Sequence, residues 1–170
     1  MGLALLEGEP GPVRVLGDSA YGTGAIRAAL VEMKHGAVIK PIPLRTWVPG
    51  GFTSDDFTVD FDSHTVTCPA NHTVRITPSG GAMFEKYCRS CPLATQCTTA
   101  KRGRKLTLSE HEPLLRAARA AARAPEWQAE YRRHRPMVER SIAWLTRGNR
   151  KVRYRGILKN DHWLHHRSAG

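Results

Sequence analysis

The stretch that decides the fold runs from residue 13 to residue 42 and reads VRVLGDSAYGTGAIRAALVEMKHGAVIKPI. Its first five residues form a short apolar run rich in β-branched side chains, which is typical of a buried strand. Gly17 and Asp18 close that run as a loop would. The pattern therefore predicts that Asp18 lies at the rim of a sheet.

The same stretch continues with helical and then strand-like periodicity. Ile26, Leu30 and Met33 recur at helical spacing within residues 25–34, and Gly36 is the predicted stop signal. Residues 37–42 then read as a second strand. Strand, helix and strand in succession predict a right-handed crossover in an α/β sheet.

The composition changes in residues 47–108, which are rich in Gly, Pro, Thr and Ser and contain short runs of alternating apolar and polar residues. This pattern predicts a small β-rich insertion. They hold all four cysteines at the spacing C-x19-C-x2-C-x5-C: Cys68, Cys88, Cys91 and Cys97. The Cys88–Cys91 pair is a tight knuckle of the type that holds one side of a tetrahedral zinc ion. Structural zinc, reduced free thiols and redox chemistry all stay open, and His72 is a substitute ligand.

Two helices are predicted towards the carboxyl end. Residues 110–124 form an Ala/Arg/Leu helix broken at Pro125, whose one-sided arginines predict either a solvated face or a DNA-contacting one; they are Arg116, Arg119 and Arg123. The last helix covers at least residues 136–147, and residues 127–135 form either a separate helix or one kinked at Pro136. Its predicted buried stripe is Val138, Ile142 and Leu145.

The charge balance bears on partners. Against 15 acidic residues the chain carries 26 Lys and Arg, a formal net charge of +11, which favours a polyanion such as nucleic acid or an acidic membrane surface. A basic run near the end would add phosphate contacts: Arg147, Arg150, Lys151, Arg153 and Arg155. We find no transmembrane-length apolar run and no secretion signal, so the expected location is cytoplasmic.

Two short motifs remain, GDSAYG at residues 17–22 and YRRHRPMVE at residues 131–139. The first resembles the segment around the second catalytic aspartate of DDE transposases from bacterial insertion sequences. The second resembles the Tyr, Arg and Glu signature of the same family. The resemblance implies an incomplete ribonuclease-H-like α/β fold in which Asp18 and Glu139 bind Mg²⁺. It also implies DNA contacts for Tyr131 and Arg135, and less firmly for Arg147, because Thr146 occupies the usual basic position.

The chemistry of strand cleavage explains why these residue types would be needed. Two Mg²⁺ ions about 3.5–4 Å apart activate the attacking oxygen and stabilise the leaving one, and carboxylates hold them. Plainer roles exist for each residue: Asp18 as a turn cap, Glu139 in a surface ion pair with Arg135, and Tyr131 in core packing.

The resemblance also predicts what the chain lacks. In the family, a first strand with the first catalytic aspartate, two further strands and a helix come before the second aspartate. Only seventeen residues precede Asp18, too few for all of these elements, so we expect a C-terminal fragment that is inactive alone. The predicted parts are a partial core at 1–46, the Cys-rich insertion at 47–109 and the C-terminal helices at 110–170. Expected partners are DNA and either further copies of the chain or a missing N-terminal half. The alternative function is a non-catalytic, zinc-dependent DNA-binding module.

Overall fold

The structure is a computed structural model that describes residues 3–6, 8–146 and 154–168. The chain divides into two compact units, Met1–Arg123 and Ala124–Gly170. No helix among the described residues combines the length and apolarity that crossing a bilayer requires. The predicted three-part division of the chain is not decided by these units and stays a prediction.

The first unit begins with the predicted strand, helix and strand. Strand β1 (Arg14–Gly17) pairs in parallel with β2 (Gly36–Ile39), and helix α1 (Gly24–Glu32) connects them. Thr23 caps α1, because its hydroxyl accepts the backbone N–H of Ile26. Within the described residues this sheet has two strands, so the α/β character agrees with the sequence while the ribonuclease-H-like arrangement stays a prediction.

The end of α1 differs from the prediction that Gly36 stops the helix. Lys34 takes the left-handed conformation, with φ 59°, and the N–H of His35 donates to the carbonyl oxygen of Leu30 at 2.8 Å. This pattern closes the last helical turn before Gly36 is reached. The buried face also differs, since Arg27 is buried beside Leu30 whereas Met33 is 36% exposed. The Arg27 guanidinium donates to the carbonyl oxygen of Ile39 at 2.9 Å and so fastens α1 to β2.

The segment that follows contains the expected short strands in two antiparallel groups. Strands β3 (Thr58–Asp60), β4 (Thr65–Thr67) and β5 (Thr73–Arg75) form a three-stranded sheet, and β6 (Gly81–Met83) pairs with β7 (Lys105–Thr107). Two short helices, α2 (Glu85–Cys88) and α3 (Ala94–Cys97), lie between β6 and β7 in sequence. The buried core of this region consists of Phe57, Val66, Ala82, Phe84, Cys97, Leu106 and Leu108.

Helix α4 (Glu112–Ala121) packs against α1 at the end of the first unit. A Cβ atom at Gly24 would lie 2.5 Å from the Cβ of His111, so only glycine permits this approach. Helix α4 ends before Pro125, as the sequence predicts.

Two of the three arginines on this face of α4, Arg116 and Arg119, correct the prediction of a solvated or DNA-contacting face, because both are engaged inside the fold. The guanidinium of Arg116 donates to two backbone carbonyl oxygens, of Phe57 at 3.0 Å and of Ser54 at 2.7 Å. Ser54 belongs to a 3-10 turn, Ser54–Asp56, in which Thr53 and Asp56 cap each other. Arg116 therefore ties α4 to the start of the β-rich segment.

Arg119 is more deeply buried, with 10% of its side chain exposed. Its guanidinium binds both carboxylate oxygens of Asp55 and also donates to Glu112 at 2.7 Å. Arg123, at 72% exposure, reaches only the outer oxygen of Asp55 at 3.4 Å. The periodicity placed these arginines on one face correctly. Arg116 and Arg119 contact residues some sixty positions earlier and lie inside the fold, whereas Arg123 remains exposed.

The second unit contains α5 (Pro125–Thr146) and α6 (Ile157–Ser168), which contact each other. Helix α5 runs through Pro136 without a break, so residues 127–135 are not a separate helix. Pro136 has no N–H, and the helix therefore lacks one backbone hydrogen bond there. The side chains of the predicted stripe Val138, Ile142 and Leu145 lie outside the described set.

Candidate functional site

Asp18 follows the last residue of β1, as predicted, and is exposed. Its side chain caps a short 3-10 turn, Ser19–Tyr21, because Oδ1 accepts the backbone N–H of Ala20 at 2.9 Å. Parallel pairing fixes the position of this loop, since the N–H of Lys40 donates to the carbonyl oxygen of Gly17 at 3.1 Å. The capping role and a role as metal ligand are compatible, because this one hydrogen bond leaves acceptor capacity on the carboxylate.

The signature residues Tyr131, Arg135 and Glu139 lie on one face of α5, each four residues from the next. The ring of Tyr131 stacks on Trp127 with centroids 5.1 Å apart, and the guanidinium carbon of Arg135 lies 5.8 Å from the centroid of the Tyr131 ring. The Nε of Arg135 donates to Oε1 of Glu139. Stacked rings, a cation and a carboxylate thus form one continuous row.

The ion pair in this row is a surface pair, with Arg135 49% and Glu139 58% exposed. The hydrogen bond to Glu139 raises the pKa of Arg135 above its ordinary value, so the guanidinium is charged throughout the physiological range. Exposed pairs of this spacing contribute little to stability. Glu139 can therefore exchange Arg135 for another cation at little energetic cost.

Asp18 and Glu139 belong to different units of the chain, and their meeting at one metal pair stays a prediction. Arg147 and most of the basic run lie outside the described residues, whereas Arg155 is described and exposed. Within the described ranges, no group of three or more His, Cys, Asp or Glu side chains is arranged to hold a metal ion.

The four cysteines nevertheless line one small cavity, with space for little more than a water molecule. The cavity is otherwise walled mainly by aromatic side chains, among them Phe52, Phe57, Phe84 and Tyr87. Cys97 is buried, and desolvation raises the pKa of its thiol, which Arg104 opposes. His72 also lines the cavity, and its ring stacks on Tyr87 with centroids 4.6 Å apart. Cysteines up to 29 positions apart in sequence are thus brought to one place.

Arg104 is the residue of this site that the sequence prediction missed. Its side chain is 3% exposed, its backbone N–H donates to Sγ of Cys88 at 3.4 Å, and its guanidinium donates to the carbonyl oxygen of Cys97 at 3.5 Å. A signal existed in the alternation of residues 104–108, in which Arg104, Leu106 and Leu108 are buried and the residues between them are exposed. These three residues therefore share the inward side of β7 and of the positions that flank it. Burial lowers the pKa of Arg104, and its interaction with Cys97 opposes that shift.

Much of the chain matches a known protein-family profile. The profile described as a transposase DDE domain matches residues 67–170, which is more than half of the chain. The chain belongs to the DDE transposase family. This confirms the resemblance that the two sequence motifs indicated. Comparisons with curated proteins and with solved structures gave no significant match.

Family membership carries general consequences for the site. A transposase DDE domain implies a transposition-related function with DNA as the substrate, and such domains generally use divalent metal. The matched segment includes the four cysteines and the Tyr131, Arg135 and Glu139 row, whereas Asp18 precedes it. The role of Asp18 therefore depends on its own motif and its place at the end of β1.

Proposed function

We propose that this chain takes part in metal-dependent cleavage and transfer of DNA strands, with Asp18 and Glu139 as carboxylate ligands and Tyr131 and Arg135 as DNA contacts. The observation that carries the proposal is the row on α5, in which the family signature residues share one exposed helical face inside the matched DDE segment. Asp18 adds a second exposed carboxylate at the carboxyl end of β1.

The donor chemistry fits Mg²⁺, which prefers carboxylate oxygens and retains waters. When bound, the ions would lower the barrier to attack on the phosphodiester by activating the attacking oxygen and stabilising the leaving one. Glu139 is held by Arg135 alone among the contacts described above, so binding a metal requires it to give up that pair. Arg135 is then free to donate its planar fork to a phosphate, and the Tyr131 ring supports the guanidinium from one side.

The proposal includes a third carboxylate, which the family pattern places ahead of Asp18. Glu7 and Glu9 are the acids that precede Asp18, and they lie in a Gly- and Pro-rich lead that makes them poor substitutes. The strand-transfer assay is therefore carried out with an aspartate-bearing segment supplied together with residues 1–170.

The test is a strand-transfer assay with Mg²⁺ and a supplied upstream segment. Asp18→Asn and Glu139→Gln should each abolish product, whereas Glu126→Gln, an exposed acid on the same helix, should leave it unchanged. A second readout replaces Mg²⁺ with Fe²⁺ and maps hydroxyl-radical cuts of the polypeptide. Cuts beside both Asp18 and Glu139 support a shared site, and cuts beside neither residue refute it.

A second candidate function, a zinc-dependent DNA-binding module, is favoured by the position of Arg104. Among the described residues no carboxylate pairs with this buried guanidinium, and a buried cation without a counter-charge is costly. Thiolates of the cysteine cavity would supply that counter-charge, and four thiolates are the donor set of a structural zinc site. Because no three ligands among the described residues are arranged to hold an ion, zinc binding would require the sulfurs to move together.

Metal analysis separates the two functions. One zinc per chain, lost together with DNA binding in Cys88→Ser, would support the module if no Mg²⁺-dependent product forms even with the upstream segment. A chain without zinc that still binds DNA and transfers strands would exclude it.

A further inference from the structure

The cysteine-bearing segment has an unusual charge distribution. Residues 64–109 contain seven Lys and Arg but a single acid, Glu85. Arg104 is buried beside the cysteine cavity, while the remaining cations are exposed. Charge of one sign on a small scaffold generates a potential that attracts polyanions.

Four of these cations, Lys86, Arg89, Lys101 and Arg102, form what we term the α2 patch. Arg89 lies 3.8 Å from one carboxylate oxygen of Glu85, and Arg102 lies 3.7 Å from the other. The two arginine side chains are 79% and 82% exposed, so both guanidiniums remain accessible. One carboxylate cannot neutralise four cations, and the patch keeps a net positive charge.

The patch is fixed by the backbone, which brings two distant segments together. Gly103 has φ +79°, and a Cβ at this position would lie 3.0 Å from the Cα of Glu85 and 3.0 Å from the Cβ of Cys88. The turn at residues 101–102 therefore packs directly against α2. The hydrogen bond from the Arg104 N–H to Sγ of Cys88 holds the same contact. Basic residues held on such a scaffold lose less entropy on binding than residues on a mobile tail.

We infer that the α2 patch is a DNA-binding surface that contacts the phosphate backbone of a duplex without reading its sequence. The inference rests on the proposed function in one respect, that DNA is the partner, and adds a surface outside the Tyr131, Arg135 and Glu139 row. Exposed guanidiniums donate forked hydrogen bonds to phosphate oxygens, and such contacts position the duplex. Their strength falls with salt as bound counterions are released.

The experiment measures affinity of the full chain for a duplex as a function of salt concentration. Replacing Arg89, Lys101 and Arg102 together with Gln should reduce the slope of log K against log salt by about 2 to 3, since each phosphate contact contributes about 0.9. The loss should be equal for duplexes of unrelated sequence. A control variant with Gln at three other exposed cations, Lys34, Arg45 and Arg75, should retain the wild-type slope.

Three outcomes would overturn the inference: an unchanged slope in the patch variant, an equal change in the control variant, or no binding of duplex by the wild-type chain. Preferential binding to anionic phosphatidylserine vesicles over duplex would also overturn it. Circular dichroism of both variants checks that the fold is retained. Failure here is distinguishable from failure of the proposed function, because Asp18→Asn and Glu139→Gln should abolish strand transfer without lowering the slope.

Discussion

Replacing Arg119 with alanine should destabilise the first unit strongly, because one guanidinium serves two carboxylates. Arg119 lies 2.8 Å from Asp55 and 2.7 Å from Glu112, and the three side chains are 10%, 15% and 9% exposed. Removing one partner of a buried ion pair costs about 3–5 kcal/mol, since the remaining charge loses its closest counter-charge. After this change Asp55 and Glu112 keep their longer contacts, each 3.4 Å, to Arg123 and Arg116. Here two like charges remain, and the total stability of a domain is only about 5–15 kcal/mol.

Urea unfolding followed by circular dichroism at helical wavelengths would measure the effect. With a urea dependence of about 2 kcal/mol per M, a loss of this size lowers the midpoint by roughly 2 M. Arg123→Ala is the matched control, because Arg123 reaches the same Asp55 from an exposed position, and exposed pairs contribute about 0–1 kcal/mol. The urea midpoint of Arg119→Lys should lie between those of the two alanine variants, because lysine keeps the positive charge but cannot donate the paired hydrogen bonds of a guanidinium.

A double-mutant cycle sharpens the test. In an Asp55→Asn background, Arg119→Ala should cost less than it does in the wild type, with a coupling energy of about 0.5–3 kcal/mol. The reasoning would be refuted if Arg119→Ala and Arg123→Ala lowered stability equally, or if the cycle showed no coupling. Either result would mean that α4 is held to the β-rich segment by other contacts.

Three further predictions concern single side chains. Hydrogen bonds from the Thr53 hydroxyl and backbone N–H lower the pKa of Asp56, so its stabilising effect is present above the unfolded-state pKa and is lost as the pH falls through the folded one. Because Asp56 is exposed to solvent, Asp56→Asn should lower stability at pH 7 by only roughly half a kcal/mol. It should also flatten the acid side of a stability profile below about pH 5, whereas an unchanged profile would contradict this. Gly103→Ala should lower the urea midpoint more than Gly50→Ala. Both glycines have a positive φ, +79° for Gly103 and +68° for Gly50, but a Cβ added at Gly50 would have no atom within 4 Å. Equal losses would show that the contact of Gly103 with α2 is unimportant. Arg135→Ala should reduce the salt slope of DNA binding by about 1 if the residue contacts a phosphate, and an unaltered slope would limit it to pairing with Glu139.

Local patterns in the sequence were sufficient for the first strand, helix and strand. The apolar runs and the helical spacing within residues 25–34 predicted β1, α1 and β2, and the end of the first run placed Asp18 after β1. The helix end was misplaced because the prediction assigned the stop to Gly36, while Lys34 adopts the left-handed conformation itself. A non-glycine residue in this conformation carries no clear sequence signal.

Contacts between distant residues explain what the sequence could not supply. Arg119 and Asp55 are separated by 64 positions, and nothing in the periodicity of α4 identifies a carboxylate so far upstream. The convergence of four cysteines on one cavity also depends on how β4, α2 and α3 pack, although their spacing indicated a common site. The row on α5 was accessible to prediction because its members are separated by one helical turn.

Because several arginines are enclosed within the fold, the number of basic residues overstates how many of them can contact a nucleic acid. Arg27, Arg104, Arg116 and Arg119 are engaged with carbonyl oxygens, aromatic rings and carboxylates inside the fold, so they are withheld from any nucleic acid. Mobile ions screen charges in solvent far more effectively than charges that are enclosed. Raising the ionic strength should therefore dissociate the protein from a DNA duplex at a salt concentration well below the one that unfolds it. Over a wide range of salt concentrations the protein should be folded but not bound to DNA.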